Sequence, residues 1–391
     1  MNYILRLVTL VAALAAPVAH AAPFTPDSDA QIVEKLPYAA GDPEIKRLNL
    51  LRGQLRSQRD NLPLALALAG GYLELGRSTS DPRYSGYAEA ALAPWQNADA
   101  PNEAVLMRAA LRQRMHLFDA ALADLTTVLK AEPRNAQAQL MRATVLQVVG
   151  DFAGAKAQCE AMRGVAKELV WTSCLASVEG VTGKLDEGYS MLRAALDKAA
   201  GAPPAMRAFV LTGLGEMAAR ADRAQEAEAN FRAALAIDAN DPYLLAAFAD
   251  FLLDQSRPQE AAALVKDRPR ADILLLRHAL ALQAQHAPEA AARVAELRDR
   301  FDASRLRGDR LHLREEARFT LHLLGQPEAA LKLAAENWRA QKEPADIRIL
   351  VECALASQDA EQMQVAAQWL KDTGMEDVQL GKIMPPPAKP K

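Results

Sequence analysis

The residues through which this chain could do chemistry are few. It has three cysteines, Cys159, Cys174 and Cys353, and six histidines. His278 and His286 lie eight residues apart and His312 and His322 ten, while His116 stands alone. No cysteine or carboxylate frames them at metal-ligand spacing. A zinc site needs about four converging ligands, so these histidines read as isolated surface or turn residues. No HExxH, no G-x-S-x-G elbow and no Walker loop occurs. Val181-Thr182-Gly183-Lys184 lacks the first glycine of a phosphate loop and the Ser or Thr that must follow its lysine. Gly213-Leu214-Gly215 opens a dinucleotide-like pattern, but no strand precedes it, and glycines there permit close helix packing instead. Arg298, Arg300, Arg305, Arg307, Arg310, Arg314 and Arg318 form the densest basic stretch. Glu296, Asp299, Asp302, Asp309, Glu315 and Glu316 interleave with them, which is the pattern of a solvated, self-neutralising helix. The expectation is a protein without catalytic, metal-ligating or cofactor-binding residues. An enzyme with an unrecognised site is the alternative of another class, because fold alone never excludes function.

Composition decides which elements can position such residues. Alanine supplies 81 of 391 residues and aromatics only 5%. Strong helix formers therefore dominate and strand formers are scarce, so the chain is expected to be all-α rather than a β-sandwich or an α/β barrel. Half of it is hydrophobic and 24% charged, which rules out wholesale disorder. The net charge of −3 offers no basic excess for nucleic acid and no polybasic run for an anionic membrane. The expectation is no nucleic-acid partner.

The first 21 residues, MNYILRLVTLVAALAAPVAHA, carry Arg6, an apolar stretch from Leu7 to Ala16, a break at Pro17 and the small-x-small triplet Ala19-His20-Ala21. That is the form of a bacterial secretory signal, with the cut expected between Ala21 and Ala22. The stretch is too short to span a bilayer, and no cysteine near the cut offers lipid attachment. The expected product is periplasmic, with no membrane insertion after cleavage.

Beyond the signal the chain repeats itself. Leu106-Met107-Arg108-Ala109 returns as Leu140-Met141-Arg142-Ala143, 34 residues later. Gln113, Phe118 and Ala121 return at the same interval as Gln147, Phe152 and Ala155. A fixed period of this length marks a repeat array. Each period divides into two amphipathic stripes: Ala104, Leu111 and Met115, then Ala121, Leu122, Leu125, Val128 and Leu129. Pro133 ends the second stripe, because proline cannot continue a helix.

These units resemble the tetratricopeptide repeat. That family has a small residue at the eighth position, Gly-Asp/Asn-aromatic at the turn, Ala at the twentieth and Pro at the thirty-second. Ala109 and Ala143 take the eighth place, Gly150-Asp151-Phe152 the turn, Ala121 and Ala155 the twentieth and Pro133 the thirty-second. Similar units begin at Leu62, Leu169, Ala208, Pro242, Ala271, Leu311 and Asp346, the resemblance spanning residues 61–372. It implies a right-handed superhelical solenoid of antiparallel helix pairs. The remaining divisions are the signal at 1–21, an N-terminal segment with a capping helix at 22–60, begun by Asp42-Pro43-Glu44, and a disordered Pro/Lys tail at 373–391.

The resemblance also implies a function, that of a non-catalytic periplasmic scaffold or adaptor binding a protein or peptide in its groove. A structural accessory subunit of an envelope polysaccharide or secretion system is the alternative. By family position the groove is lined by Leu106, Ala110, Gln113, Leu140, Thr144, Gln147, Phe209, Glu216, Arg220, Tyr243 and Asp250. Its first half is then apolar to neutral and its second half charged, with Phe209 and Tyr243 as aromatic anchors. Some members clamp a terminal carboxylate with Lys at the fifth and thirteenth positions and Asn at the ninth. Leu106, Arg114 and Ala110 stand there in one unit, and Leu140, Val148 and Thr144 in the next, which argues against that mode. Arg108 and Arg142 occupy a normally apolar seventh position. They either pack their stems and reach a nearby carboxylate or carbonyl, or reach into the groove. Cys159 on a second helix and Cys174 on the next first helix fall on packed neighbours. Facing Cα atoms there approach to about 4–6 Å, so a disulfide between them is expected, with Cys353 free.

Overall fold

The computed structural model describes residue 28 and residues 41–384, apart from 80, 98, 269, 309 and 310. The expected signal, its cut between Ala21 and Ala22, and the residues from Pro385 onward lie outside the described residues. Among the described residues are twenty α-helices, one short 3-10 turn and no strand. Helix α1 (Pro43–Ser57) begins where Asp42 accepts the backbone N–H groups of Glu44 and Ile45, with Pro43 in the first turn.

Nine helix pairs follow, each a first helix and a second: α2 (Leu62–Thr79) with α3 (Arg83–Ala91), α4 (Asn102–Arg114) with α5 (Phe118–Ala131), and α6 (Ala136–Val149) with α7 (Phe152–Ala161). Next come α8 (Glu168–Glu179) with α9 (Leu185–Lys198), α10 (Pro204–Arg220) with α11 (Ala224–Ile237), and α12 (Pro242–Asp254) with α13 (Pro258–Val265). The last are α14 (Asp272–Ala284) with α15 (Ala290–Leu306), α16 (Leu313–His322) with α17 (Pro327–Ala340), and α18 (Pro344–Ala356) with α19 (Ala360–Thr373). Each helix packs on its predecessor, α15 meeting α16 through the rings of Phe301 and Phe319, so the architecture is an all-α superhelical solenoid of antiparallel helix pairs.

Small residues make the crossings close. Ala69, Ala109, Ala121, Ala155, Ala176, Ala227, Ala249, Ala261, Ala330 and Ala354 are all fully buried. Gly215 goes further, since a Cβ there would lie 2.7 Å from the ring of Phe231. From α4 onward the turn inside each pair holds one left-handed residue. Gly150, Gly183 and Gly325 take this role without a Cβ penalty, while His116, Asp222, Ser256, His286 and Gln358 take it with one. At Gly150-Asp151-Phe152 the Asp151 carboxylate then caps α7 through the N–H of Gly154, at 2.8 Å.

Arg108 lies in the seam of its pair. It forks onto Asp124 with Nη2 at 2.6 Å and Nε at 3.0 Å. It also donates to the carbonyls of Trp95 and Asn97. Cys159 and Cys174 are joined by a disulfide between α7 and α8, with Cα atoms 5.5 Å apart. Cys353 is a free, buried thiol, pushed up to about 12 by burial.

The array does not stay one-dimensional. Lys342 N–H donates to Val148 O at 2.7 Å, and Leu185 N–H meets Glu376 Oε1 at 3.5 Å across 191 residues of sequence. Phe152 packs against Trp369, and Arg77 of α2 reaches Asp241 at 2.7 Å across 164 residues. About half that interval apart, Arg348 forks onto Asp254 at 2.7 Å, with a separation of 94. Successive superhelical turns therefore touch, and opposite walls meet across the axis. Of the segment expected as a tail at 373–391, residues 374–384 are described and include a further helix. Helix α20 (Val378–Ile383) forms there, capped by Asp377, with Leu380 buried. An acidic cap and one apolar anchor suffice, because earlier units supply the surface on which it folds.

Candidate functional site

The first helices of the units stand side by side, so residues one period apart align along the inner face. On α10 these are Phe209, Glu216 and Arg220, and on α12 Tyr243, Asp250 and Asp254. Helices α16 and α18 add Arg314, Arg318 and Arg348. Phe209 is 66% exposed and Tyr243 55%, so two aromatic rings one repeat apart are open to solvent. Tyr243 is fixed at the start of α12, where Pro242 occupies the first turn and Asp241 caps it. Arg77 holds that cap from α2. The hydroxyl of Tyr243 donates to Glu216 Oε1 at 2.7 Å.

Deeper in, the groove is densely charged. Burial lifts Glu216 to about 7, although the Tyr243 hydrogen bond and Arg220 pull it down. The Glu216 charge raises Tyr243 well above its usual value. Arg220 is lowered by burial, with Asp377 the strongest opposing charge. Its Nη1 donates to Gly180 O at 2.7 Å. Arg220 forms no ion pair with the described residues.

Elsewhere the charges are paired. Asp250 meets Arg277 at 2.8 Å and Arg318 at 2.7 Å. Burial alone would raise Asp250, yet these two arginines hold it at about 2. Arg277 also meets Glu315 at 2.5 Å, and Arg314 meets Glu343 at 2.9 Å. Between α12, α14, α16 and α18 the groove narrows to a cavity of about 320 Å³, lined by Leu253, Asp254, Leu280, Arg318, Arg348 and Glu352 among others.

The expected lining of the first half sits differently. Leu106 and Leu140 are half-buried and packed against the apolar core. Ala110 and Gln113 are half-buried, and Thr144 is exposed. The Thr144 hydroxyl donates to Leu140 O at 3.0 Å, and Gln147 donates to Ser177 at 2.9 Å. Arg142 is half-buried, and its Nε has no partner.

One expectation is corrected outright. The basic stretch from Arg298 to Arg318 is not a single solvated helix. Arg300 and Arg305 pair locally with Glu296 and Asp302. Arg314 and Arg318, on the next first helix, turn inward to carboxylates of α12 and α18. Balanced charge along a sequence is equally compatible with pairing across a groove. Sequence reasoning also missed Arg348, although it stands one period after Arg314.

Fold and groove together define an all-α solenoid of helix pairs, which resembles the tetratricopeptide-repeat architecture. No family model matches the chain, and no curated protein sequence matches it. Similar solved structures include a tetratricopeptide repeat protein from Parabacteroides merdae, 11% identical over 80% of this chain and 99% of that one, with a TM-score of 0.39. Human IFIT1 with PPP-AAAA is 13% identical over 84% of this chain and 85% of that one, with a TM-score of 0.45. Yeast Tom70 is 13% identical over 84% and 81%, with a TM-score of 0.42. Human IFIT1 is bound there to a nucleic acid, so the expected exclusion of nucleic acid is withdrawn. Whole-chain charge balance does not report the charge inside a groove. Among the described residues no helix is long and apolar enough to cross a membrane.

Proposed function

We propose that this chain is an exported, non-catalytic adaptor that holds a partner segment in its concave groove. The observation that carries the reading is the exposed pair Phe209 and Tyr243, one repeat apart on the inner face, above a bed of paired charges. Large aromatic side chains left open on a concave surface are the usual anchors of recognition. Glu216, Asp250 and Asp254 are each engaged by Tyr or Arg, an arrangement suited to holding a ligand. Periplasmic residence is supported by the Met1–Ala21 pattern and by the Cys159–Cys174 disulfide.

The test is crosslinking in the periplasm followed by binding with variants. Tyr243→Ala is expected to weaken the captured partner by about 1–2 kcal/mol with helicity unchanged. Normal binding by Phe209→Ala, Tyr243→Ala and the double variant would refute the groove. Capture of RNA in place of polypeptide would refute the partner class. An intact mass that retains Met1 would refute export.

A further inference from the structure

Residues 375–384 lie against the groove. After the left-handed turn at Gly374 the chain passes so close to Gly183 that a Cβ on Gly183 would lie 3.3 Å from the Gly374 carbonyl. Met375 and Leu380 are buried and join the apolar cluster that includes Val181, Ile347 and Leu350. Asp377 caps α20 by accepting the N–H groups of Gln379 and Leu380. Helix α20 touches both α10 and α18. Its other ties are slight. Lys382 meets Asp222 at 3.9 Å with both side chains more than half exposed, and Glu376 meets Leu185 N–H at 3.5 Å. A six-residue helix has little stability of its own. It rests on two buried apolar side chains.

What it covers is chemically specific. Arg220, half-buried at the end of α10 where α20 packs and without an ion pair, has Asp377 as its leading counter-charge. Arg348 attracts the same carboxylate. The segment thus presents an acid to Arg220 and, three residues later, a leucine to an apolar pocket. We infer that residues 375–384 are an internal ligand, occupying the Arg220 end of the groove in place of a partner helix that carries the same acid-then-apolar pattern. This rests on the groove reading above. The partner's segment competes with α20, and its carboxylate takes the place of Asp377.

The test needs no partner. A fluorescent peptide of residues 374–391 is titrated into the full-length chain and into the full-length Leu380→Asp and Leu380→Ala variants, with helicity monitored. The native chain should bind it weakly, and the variants at least tenfold more tightly, because their own α20 is released. Adding Arg220→Gln to either variant, or Asp377→Asn to the peptide, should reverse most of that gain. Equal binding by native and variant chains overturns the inference, as does binding indifferent to Arg220→Gln. Global loss of helicity in both Leu380 variants also overturns it, since α20 would then be core. Each of these outcomes leaves the Phe209 and Tyr243 test of the groove standing.

Discussion

Removal of the Asp124 carboxylate should be far more damaging than its single negative charge suggests. Asp124 accepts three charge-assisted hydrogen bonds, from Arg108 Nη2 at 2.6 Å, Arg108 Nε at 3.0 Å and Arg112 Nη1 at 2.6 Å. The Arg108 side chain is only 9% exposed. Asp124→Ala leaves its guanidinium buried with two backbone carbonyls and no counter-charge. Breaking a buried pair in this way costs about 3–5 kcal/mol. Replacing Arg108 as well, as Arg108→Met with Asp124→Leu, removes the buried guanidinium, leaves only the part-exposed Arg112 without its carboxylate, and should recover most of that loss. The exposed pair Glu44–Arg47 is the control, with less than about 1 kcal/mol expected for Glu44→Ala. Denaturant unfolding measures the total. Hydrogen exchange in α4 and α5 locates the loss, which matters because long arrays need not unfold in one step. A loss below about 1 kcal/mol for Asp124→Ala, or a double variant as unstable as the single one, would refute the reasoning.

Glu216 gives a pH prediction. Its carboxyl is raised from 4.5 to about 7, so the folded chain holds that proton more tightly than the unfolded one. The stability this contributes is complete below pH 4.5 and is lost as pH rises through 7, a span worth about 3 kcal/mol. Glu216→Gln should flatten that part of the stability profile, and an unchanged slope would count against it. Gly215→Ala should cost about 1–3 kcal/mol, because its Cβ would meet the Phe231 ring. Gly213→Ala, with nothing within 4 Å, should gain roughly 0.5–1 kcal/mol in thermal or denaturant unfolding. Replacing Cys159 and Cys174 together by Ser opens a link across 15 residues and should cost about 3 kcal/mol. Hydrogen exchange should place the loss in α7 and α8, and protection unchanged there would contradict it.

The helix pairs were legible because each depends on contacts within one period. Ala109, Ala121 and Pro133 say where helices cross and stop, and Asp42-Pro43 says where one begins. The inner wiring was not legible. Nothing local marks Lys342 as the partner of Val148, or Arg348 as the partner of Asp254. Those pairings arise from the accumulated rotation of many small steps between units. Arg108 was ambiguous for a related reason. An arginine at an apolar position must find a counter-charge, but only the fold shows it to be Asp124 rather than a partner's carboxylate. Helix α20 was read as tail because a single buried leucine has no periodicity.

The touching of successive turns has an evolutionary consequence. An open array can gain or lose a unit by duplication or deletion, since each unit meets only its neighbours. Here one helix pair inserted anywhere between α12 and α17 would carry Lys342 a full step past Val148 and swing Arg348 away from Asp254. The seam between turns acts as a vernier that accepts one unit count. Lineages of this protein should therefore vary freely in repeat sequence while keeping the number of helix pairs between those two contacts constant.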